Sequence, residues 1–496
     1  MTAISETDAD VRDHRPGARA PHAEPVRSLL VLGASGDLAG RLLLPGLARL
    51  LASGRAHDVQ LVGSGVDDWD DDRWRARLRE SFAAAPSIEV APQERTAAPP
   101  DAPGAATLRR LERESVYRQA DVTRAEDLRG LLALCEQPVA IYFALPPAVT
   151  ERACEALLEI GVPPGTRLVL EKPFGTDGAS ARRLNDLVAR IVPEDQVHRV
   201  DHFLGKHTVL NVLGFRFANR LFEPLWNATH IDRVDIVYDE ALALEDRARY
   251  YDGAGALRDM VQSHLLQVLA VLAMDPPATM QARDVRDRKA EVLRATRAGE
   301  DVTRHSRRAR YTAGRVGDRD LPAYVDEPGV DPARGTETLA EVTCFIDNWR
   351  WKGVPFRLRS GKALGNPRKE AVITFKPVPH LPTGLHGTST PARLRIGFGP
   401  DCLHLELDVN GPGDPRELER VELSTEFGAP ELPAYGEVLA GVLDADPLLS
   451  VRGDVAEELW RIVTPVLEAW QAGEVPLEEY PAGSQGPGWT TDFPEC

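Results

Sequence analysis

The stretch Ser28-Leu-Leu-Val-Leu-Gly33-Ala-Ser-Gly-Asp-Leu-Ala-Gly40 decides the fold. Ser28 to Leu32 is a short apolar run that reads as a buried strand, and Gly33 breaks it. Beyond the turn, Leu42, Leu43, Leu47, Leu50 and Leu51 recur at helical spacing. Strand, glycine turn and helix, in that order, form the opening unit of a dinucleotide-binding fold. Glycines let the backbone approach a pyrophosphate, and the start of the helix offers amides and the positive end of its dipole. The spacing Gly33-x-x-Gly36 differs from the usual Gly-x-Gly-x-x-Gly, and such turns also occur where no nucleotide binds. The string alone therefore points to a fold rather than to a ligand.

Working outward, Met1 to Arg27 is polar and reads as a disordered tail. Val59 to Val62 reads as a second strand, running into Gly63-Ser-Gly-Val-Asp-Asp-Trp69, and Asp70 to Phe82 as a charged helix. Residues 83–107 are rich in Ala and Pro and read as a loop or poorly ordered insert. Val139 to Leu145 is a third apolar strand, Thr150 to Ile160 a helix, and Thr166 to Leu170 a further strand. That strand delivers Glu171-Lys-Pro-Phe-Gly175 to the carboxyl end of the sheet, where open α/β sheets place ligands. Residues 28–199 thus read as a Rossmann-like coenzyme domain.

At 496 residues the chain is too long for one ordinary core, so a second domain is expected over residues 200–496. A formal charge of -17 argues against a nucleic-acid partner, because phosphate backbones need a basic face. The five cysteines are scattered, which fits reduced thiols in a cytoplasm rather than a disulfide framework or a zinc site. No apolar run is long enough to span a membrane, and no secretory leader is visible. Cytoplasmic localisation follows as the expectation, with no metal.

The second domain opens on Asp201, His202 and Lys206, an acid, an imidazole and an ammonium close together in the chain. A carboxylate can orient a histidine, and a histidine with a lysine can hold a phosphate. Arg233 to Glu240 reads as a half-buried strand. Further on, Val261, Leu265, Val268 and Leu272 share a helical face with His264 at its border, where a histidine is by itself most simply a packed one. Ala282 to Arg297 reads as a charged helix, and Thr303 to Gly335 as an irregular loop. Glu341 to Trp349 reads as a strand, with Phe345, Trp349, Trp351 and Phe356 as core aromatics. Val372 to Phe375, Ala392 to Phe398 and Cys402 to Val409 alternate like strands of an antiparallel sheet. Helices near Tyr435 to Leu443 and Val455 to Ala472 then precede a Gly/Pro-rich tail.

Taken as strings, these segments resemble the glucose-6-phosphate dehydrogenase family. Asp201-His-Phe-Leu-Gly-Lys206 leading into Arg216-Phe-Ala-Asn219 and Trp226-Asn227 resembles its substrate signature, with Phe203 in place of a tyrosine. Gly33-Ala-Ser-Gly-Asp-Leu-Ala39 resembles its coenzyme turn, and Arg258-Asp-Met-Val-Gln-Ser-His264 the segment that carries its general base, with Ser263 in place of an asparagine.

The resemblance implies a coenzyme domain joined to a substrate-binding and dimerisation α+β domain with a large, mostly antiparallel sheet. It implies oxidation of glucose 6-phosphate at C1 to 6-phosphogluconolactone, the first step of the oxidative pentose phosphate pathway. His264 would be the base and Asp201 its partner. His202 and Lys206 would hold the phosphate; Glu240, Asp259 and Lys362 the hydroxyls. Arg368 would supply the second cation in a shifted register, with Lys369 as the alternative. Lys172 would touch both sugar and coenzyme, and Gly33, Ala34, Ser35, Gly36, Asp37, Leu38, Val66 and Ala144 would line the coenzyme site. NADP is the family default, but Val66-Asp67-Asp68 stands where an arginine would meet the 2′-phosphate, which suggests NAD. A homodimer or homotetramer is implied. The rival readings are a related sugar oxidoreductase with another substrate and a sugar-phosphate sensor without turnover.

Overall fold

A computed structural model describes residues 24–56, 58–84, 104–245, 248–387 and 390–487. Most of the expected tail (1–23) and insert (85–103) lies outside the described residues. Six parallel strands, Ser28–Leu32, Gln60–Gly65, Val116–Gln119, Val139–Phe143, Arg167–Glu171 and Val197–Val200, build the first sheet. The first three run outward on one side and the last three on the other, so the order reverses between Ser28–Leu32 and Val139–Phe143. That reversal is the switch point at which doubly wound sheets bind ligands. Both central strands are buried at every position, as strands covered on two faces must be. A seventh strand, Ser450–Val451, arrives from far along the chain and pairs antiparallel with Val197–Val200.

The second sheet is mixed and mostly antiparallel, as the resemblance implies. Its order is Leu418–Glu426, Asp401–Asn410, Arg393–Phe398, Lys369–Phe375, Ile231–Asp239, Pro355–Gly361, Leu339–Ile346, Ser306–Thr312 and Leu477–Pro481, with Thr296–Ala298 also on Leu339–Ile346. Pro355–Gly361 runs parallel to Ile231–Asp239, which places the ends of both at one edge of the site. The helical stretch Ala248–Ala256, Leu257–Leu265 and Leu266–Ala273 packs between the sheets, and its middle part is π-helical. Insertion of an extra residue per turn is a device found mostly at functional sites.

Several expectations need correction. The stretch 303–335 contains the strand Ser306–Thr312 and a hairpin of Gly314–Val316 with Arg319–Leu321. Buried Ser306, Ala309 and Tyr311 are interleaved with arginines, which hides the strand pattern. Trp349 is not in the core but fully exposed, because its strand ends at Ile346 and the following turn swings it outward. Trp351 takes the buried place and donates from Nε1 to the carbonyl of Ala273 at 2.8 Å. Residues 83–84 close the helix Asp71–Ala84, and the helix Ala105–Glu114 begins within the expected insert. Val26, assigned to the tail, is buried and donates its N–H to the Leu443 carbonyl at 3.0 Å.

Candidate active site

The strands deliver the charged residues in pairs. Glu171 and Val200 are register partners in adjacent parallel strands, so Lys172 and Asp201, one residue later, emerge side by side. Asp239 and Gly361 are likewise partners, and Glu240 and Lys362 follow them in the second sheet. The Lys362 ammonium donates to Glu240 Oε2 at 2.9 Å. The π-helical stretch then brings His264 to the first pair and Asp259 between the two, with Lys172 Nζ bonded to the Asp259 carbonyl and lying 3.4 Å from its Oδ1. Burial opposes charge on Asp259, yet Lys172 and Lys362 outweigh it and hold its carboxyl below the usual range.

His264 and Asp201 form a buried pair, 3% and 0% exposed, with His264 Nδ1 2.6 Å from Asp201 Oδ1. The same oxygen accepts the Phe203 N–H at 3.0 Å, and Oδ2 accepts the Ser263 hydroxyl at 2.5 Å. Burial disfavours the Asp201 charge, but His264, His202 and the Ser263 bond prevail and hold its carboxyl well below the usual range. Burial also lowers His264, which Asp201 only partly offsets, a direction that favours the neutral imidazole a base needs.

Aromatic rings fix the imidazole plane. Phe203 stacks on His264 with centroids 4.2 Å apart and planes 12° apart, and His202 meets it edge-on at 4.7 Å. Behind Phe203 lies Tyr238 at 4.9 Å, and the ammonium groups of Lys206 and Lys369 stand 5.8 and 4.8 Å from the Tyr238 ring. Burial pushes His202 well below the ordinary histidine value, and the ammonium groups of Lys172 and Lys206 push it the same way.

Arg368 goes elsewhere. Its guanidinium lies 2.7 Å from Glu370 Oε1, while Arg395 holds the other oxygen of that carboxylate at 3.0 Å. Lys369 is the direct partner of Tyr238 across the strands, so the two share a face, and that face carries Phe203 and Lys206. The register of the strand therefore places Lys369, and not Arg368, on the face of Tyr238.

Tyr435, which sequence reasoning left out of the site, stacks on His202 at 5.6 Å and 17° and hydrogen-bonds Glu171. Burial pushes the Glu171 carboxyl up to about 7 against the bonds from Tyr142 and Tyr435. Tyr435 sits on the helix Ala434–Leu443, and Gly205 lets that helix approach, since a Cβ there would lie 2.5 Å from the Ala434 carbonyl oxygen. Nothing local in the sequence marks so remote a contribution.

At the switch point Gly33 takes a φ of +83°, and a Cβ there would lie 2.3 Å from the Ala144 carbonyl oxygen. Its N–H and that of Ala34 donate to Ser64, fixing the turn against the second strand. Ala34 is buried, Leu38 half-buried, and Gly36 and Asp37 are exposed. Ser35 donates to Asp67 Oδ2 at 2.5 Å, and Val66 beside it is 73% exposed. Arg41 is paired with Asp37 at 3.2 Å, and the Arg73 guanidinium lies 4.8 Å from the centre of the Trp69 ring. An open glycine turn with a hydroxyl and a carboxylate at its rim fits a dinucleotide. Among the described residues no cluster of His, Cys, Asp and Glu could hold a metal ion, and no helix is long and apolar enough to cross a membrane.

Fold and site together define the class: a dinucleotide-dependent oxidoreductase with a buried histidine–carboxylate pair and several lysines gathered near it. Comparison with known proteins narrows it. Residues 30–211 match the model of the glucose-6-phosphate dehydrogenase NAD binding domain and residues 213–495 that of its C-terminal domain. The chain belongs to the glucose-6-phosphate dehydrogenase family. It is 38% identical over 482 residues to a glucose-6-phosphate 1-dehydrogenase of Zymomonas mobilis subsp. mobilis, covering 93% of this chain and 96% of that one. The crystal structure of the enzyme from Mycobacterium avium superposes with a TM-score of 0.80 at 33% identity, over 94% of this chain and 95% of that chain. A glucose-6-phosphate dehydrogenase solved in complex with its substrate glucose-6-phosphate gives 0.83 at 28% identity, over 95% and 97%.

Proposed function

We propose that this chain oxidises glucose 6-phosphate at C1 to the lactone. The observation that carries the reading is the buried His264 bonded to Asp201 at the junction of the two sheets. His264 accepts the C1 hydroxyl proton through Nε2, and Asp201 stabilises the imidazolium that forms. The bound nicotinamide dinucleotide supplies the hydride acceptor. His202, Lys206 and Lys369 hold the phosphate, a remote anchor whose binding energy fixes C1 in place. Glu240, Asp259 and Lys362 hold the hydroxyls, and Lys172 reaches toward both sugar and coenzyme.

Gly33 to Leu38, Val66 and Ala144 would hold the coenzyme. The Ser35–Asp67 pair supports a ribose 2′-hydroxyl more readily than a 2′-phosphate, and Val66 offers no donor, so NADP preference is weak or reversed in favour of NAD. Residues 28–199 serve the coenzyme and 200–496 the substrate and the contact between copies in a cytoplasmic homodimer or homotetramer. Initial rates with a panel of hexose phosphates and both coenzymes test the reading. Turnover confined to glucose 6-phosphate, with a weak NADP preference or a preference for NAD in kcat/KM, is the expected result; strong NADP preference refutes the coenzyme assignment, and no turnover with any hexose phosphate refutes the activity.

A further inference from the structure

Asp201 is wholly buried, and its two oxygens are served differently. Oδ1 accepts from the Phe203 N–H and faces His264 Nδ1, while Oδ2 takes the hydroxyl of Ser263. Ser263 is itself 1% exposed and immediately precedes His264 in the π-helical stretch Leu257–Leu265. A π-turn is wider than an α-turn, so consecutive side chains diverge by a smaller angle, and two neighbours can reach one carboxylate. Without the hydroxyl, an anionic oxygen would be left in a place water does not reach, and the carboxylate would be free to turn about its Cβ–Cγ bond.

We propose that Ser263 is a positioning residue for the proton transfer: its hydroxyl locks the plane of the Asp201 carboxylate and takes up part of its charge, and so governs how strongly His264 draws a proton. The proposal rests on the reading of His264 as the base. Ser263 acts through Asp201, not on the sugar.

The sign follows from the hydrogen bond. A donor on Oδ2 draws charge away from Oδ1, so the hydroxyl weakens the anion that stabilises imidazolium. Removing it leaves His264 more basic, and the acid limb of the rate profile moves to higher pH. The other charged groups around the pair are His202 on the following turn, Lys172 beyond the strand Arg167–Glu171, Asp259 on the same helical stretch and Lys289 on the helix Ala282–Ala295. None of them is altered by the substitutions, and Lys289, which burial pushes down to about 7, is common to every profile compared.

The experiment is the pH profile of kcat and kcat/KM for the full chain and for Ser263→Ala, Ser263→Cys and Ser263→Thr, with His264→Ala alongside. Ser263→Ala should shift the acid limb upward by about half a unit to one unit and lower plateau kcat by about tenfold, with KM for glucose 6-phosphate unchanged. Ser263→Thr keeps the hydroxyl and should keep the wild-type profile. Ser263→Cys, close in size but a weak donor, should shift in the same direction as Ala and stands in for it if Ala does not fold. Ala or Cys profiles that superpose on wild type overturn the proposal, as does a Thr variant that shifts like Ala. Near-normal turnover in His264→Ala would instead overturn the base assignment, so the two failures are separable.

Discussion

Replacing Asp201 by asparagine probes the acid–base pair in a way the surrounding donors make quantitative. The Phe203 N–H points at Oδ1 from 3.0 Å and cannot turn round, so the amide oxygen of the introduced side chain has to sit there. In that place it still accepts from His264 Nδ1, now 2.6 Å from Oδ1, and the amide NH2 faces Ser263, whose hydroxyl can rotate to accept it. The histidine tautomer is therefore kept and only the negative charge is lost. A hydrogen bond to a charged group is worth about 1.5–3 kcal/mol and a neutral one about 0.5–1.5 kcal/mol, a difference that corresponds to roughly tenfold in rate. Turnover of Asp201→Asn should fall by about tenfold to a hundredfold, well short of the roughly ten-thousand-fold loss seen when such an exchange inverts the tautomer in a protease triad. Loss of the anion that raises His264 should also move the acid limb of kcat to lower pH, since the base then stays neutral in more acid solution. Steady-state rates across pH measure both. A loss near ten-thousand-fold would mean the amide donates to His264, and wild-type rates would mean Asp201 does not support the base.

Two further outcomes are expected. Phe203→Tyr should lower KM for glucose 6-phosphate by at most about tenfold, because the ring already lies with the Lys206 ammonium 5.1 Å from its centre and a hydroxyl adds one charge-assisted bond of roughly 1.5 kcal/mol; a raised KM would show that the hydroxyl points away from the phosphate or disturbs the stack on His264. Lys369→Ala should raise KM about tenfold or more, whereas Arg368→Ala, already held by Glu370, should leave it within about twofold; the reverse ranking would return the second cation to Arg368.

The coenzyme half was legible from Ser28 to Leu51 because a wholly buried strand and a leucine-rich helix leave periodic signatures on either side of a glycine turn. Asp201 and His264 were legible only as strings, since nothing in spacing says that residues so far apart touch. The choice between Arg368 and Lys369 was not legible at all: it depends on which face of the strand Lys369–Phe375 each side chain takes, and the register is set by pairing with Tyr238. Ser306–Thr312 escaped because arginines occupy its outward and half-buried places, so its alternation is between small or aromatic residues and long cations. Strand Val116–Gln119 was missed for a related reason, with Tyr117 its one deeply buried side chain before two exposed ones. Edge strand Leu418–Glu426 is largely solvent-facing and has no apolar rhythm to read.

The short strand Ser450–Val451 has a consequence for how the molecule can be divided. It covers the rim of Val197–Val200, whose outer N–H and C=O groups would otherwise be open to any passing strand. The helix Ala434–Leu443 lies against the coenzyme helix Leu44–Ala52, where Gly46 makes room for Tyr435, and it ends where Val26 is tied down. The first half of the chain therefore emerges from synthesis unfinished, with a sticky sheet margin and an uncovered apolar helix, and waits for residues made near the end. A cut after the first sheet's sixth strand would therefore leave that sheet without its seventh strand and the helix Leu44–Ala52 without the helix that covers it.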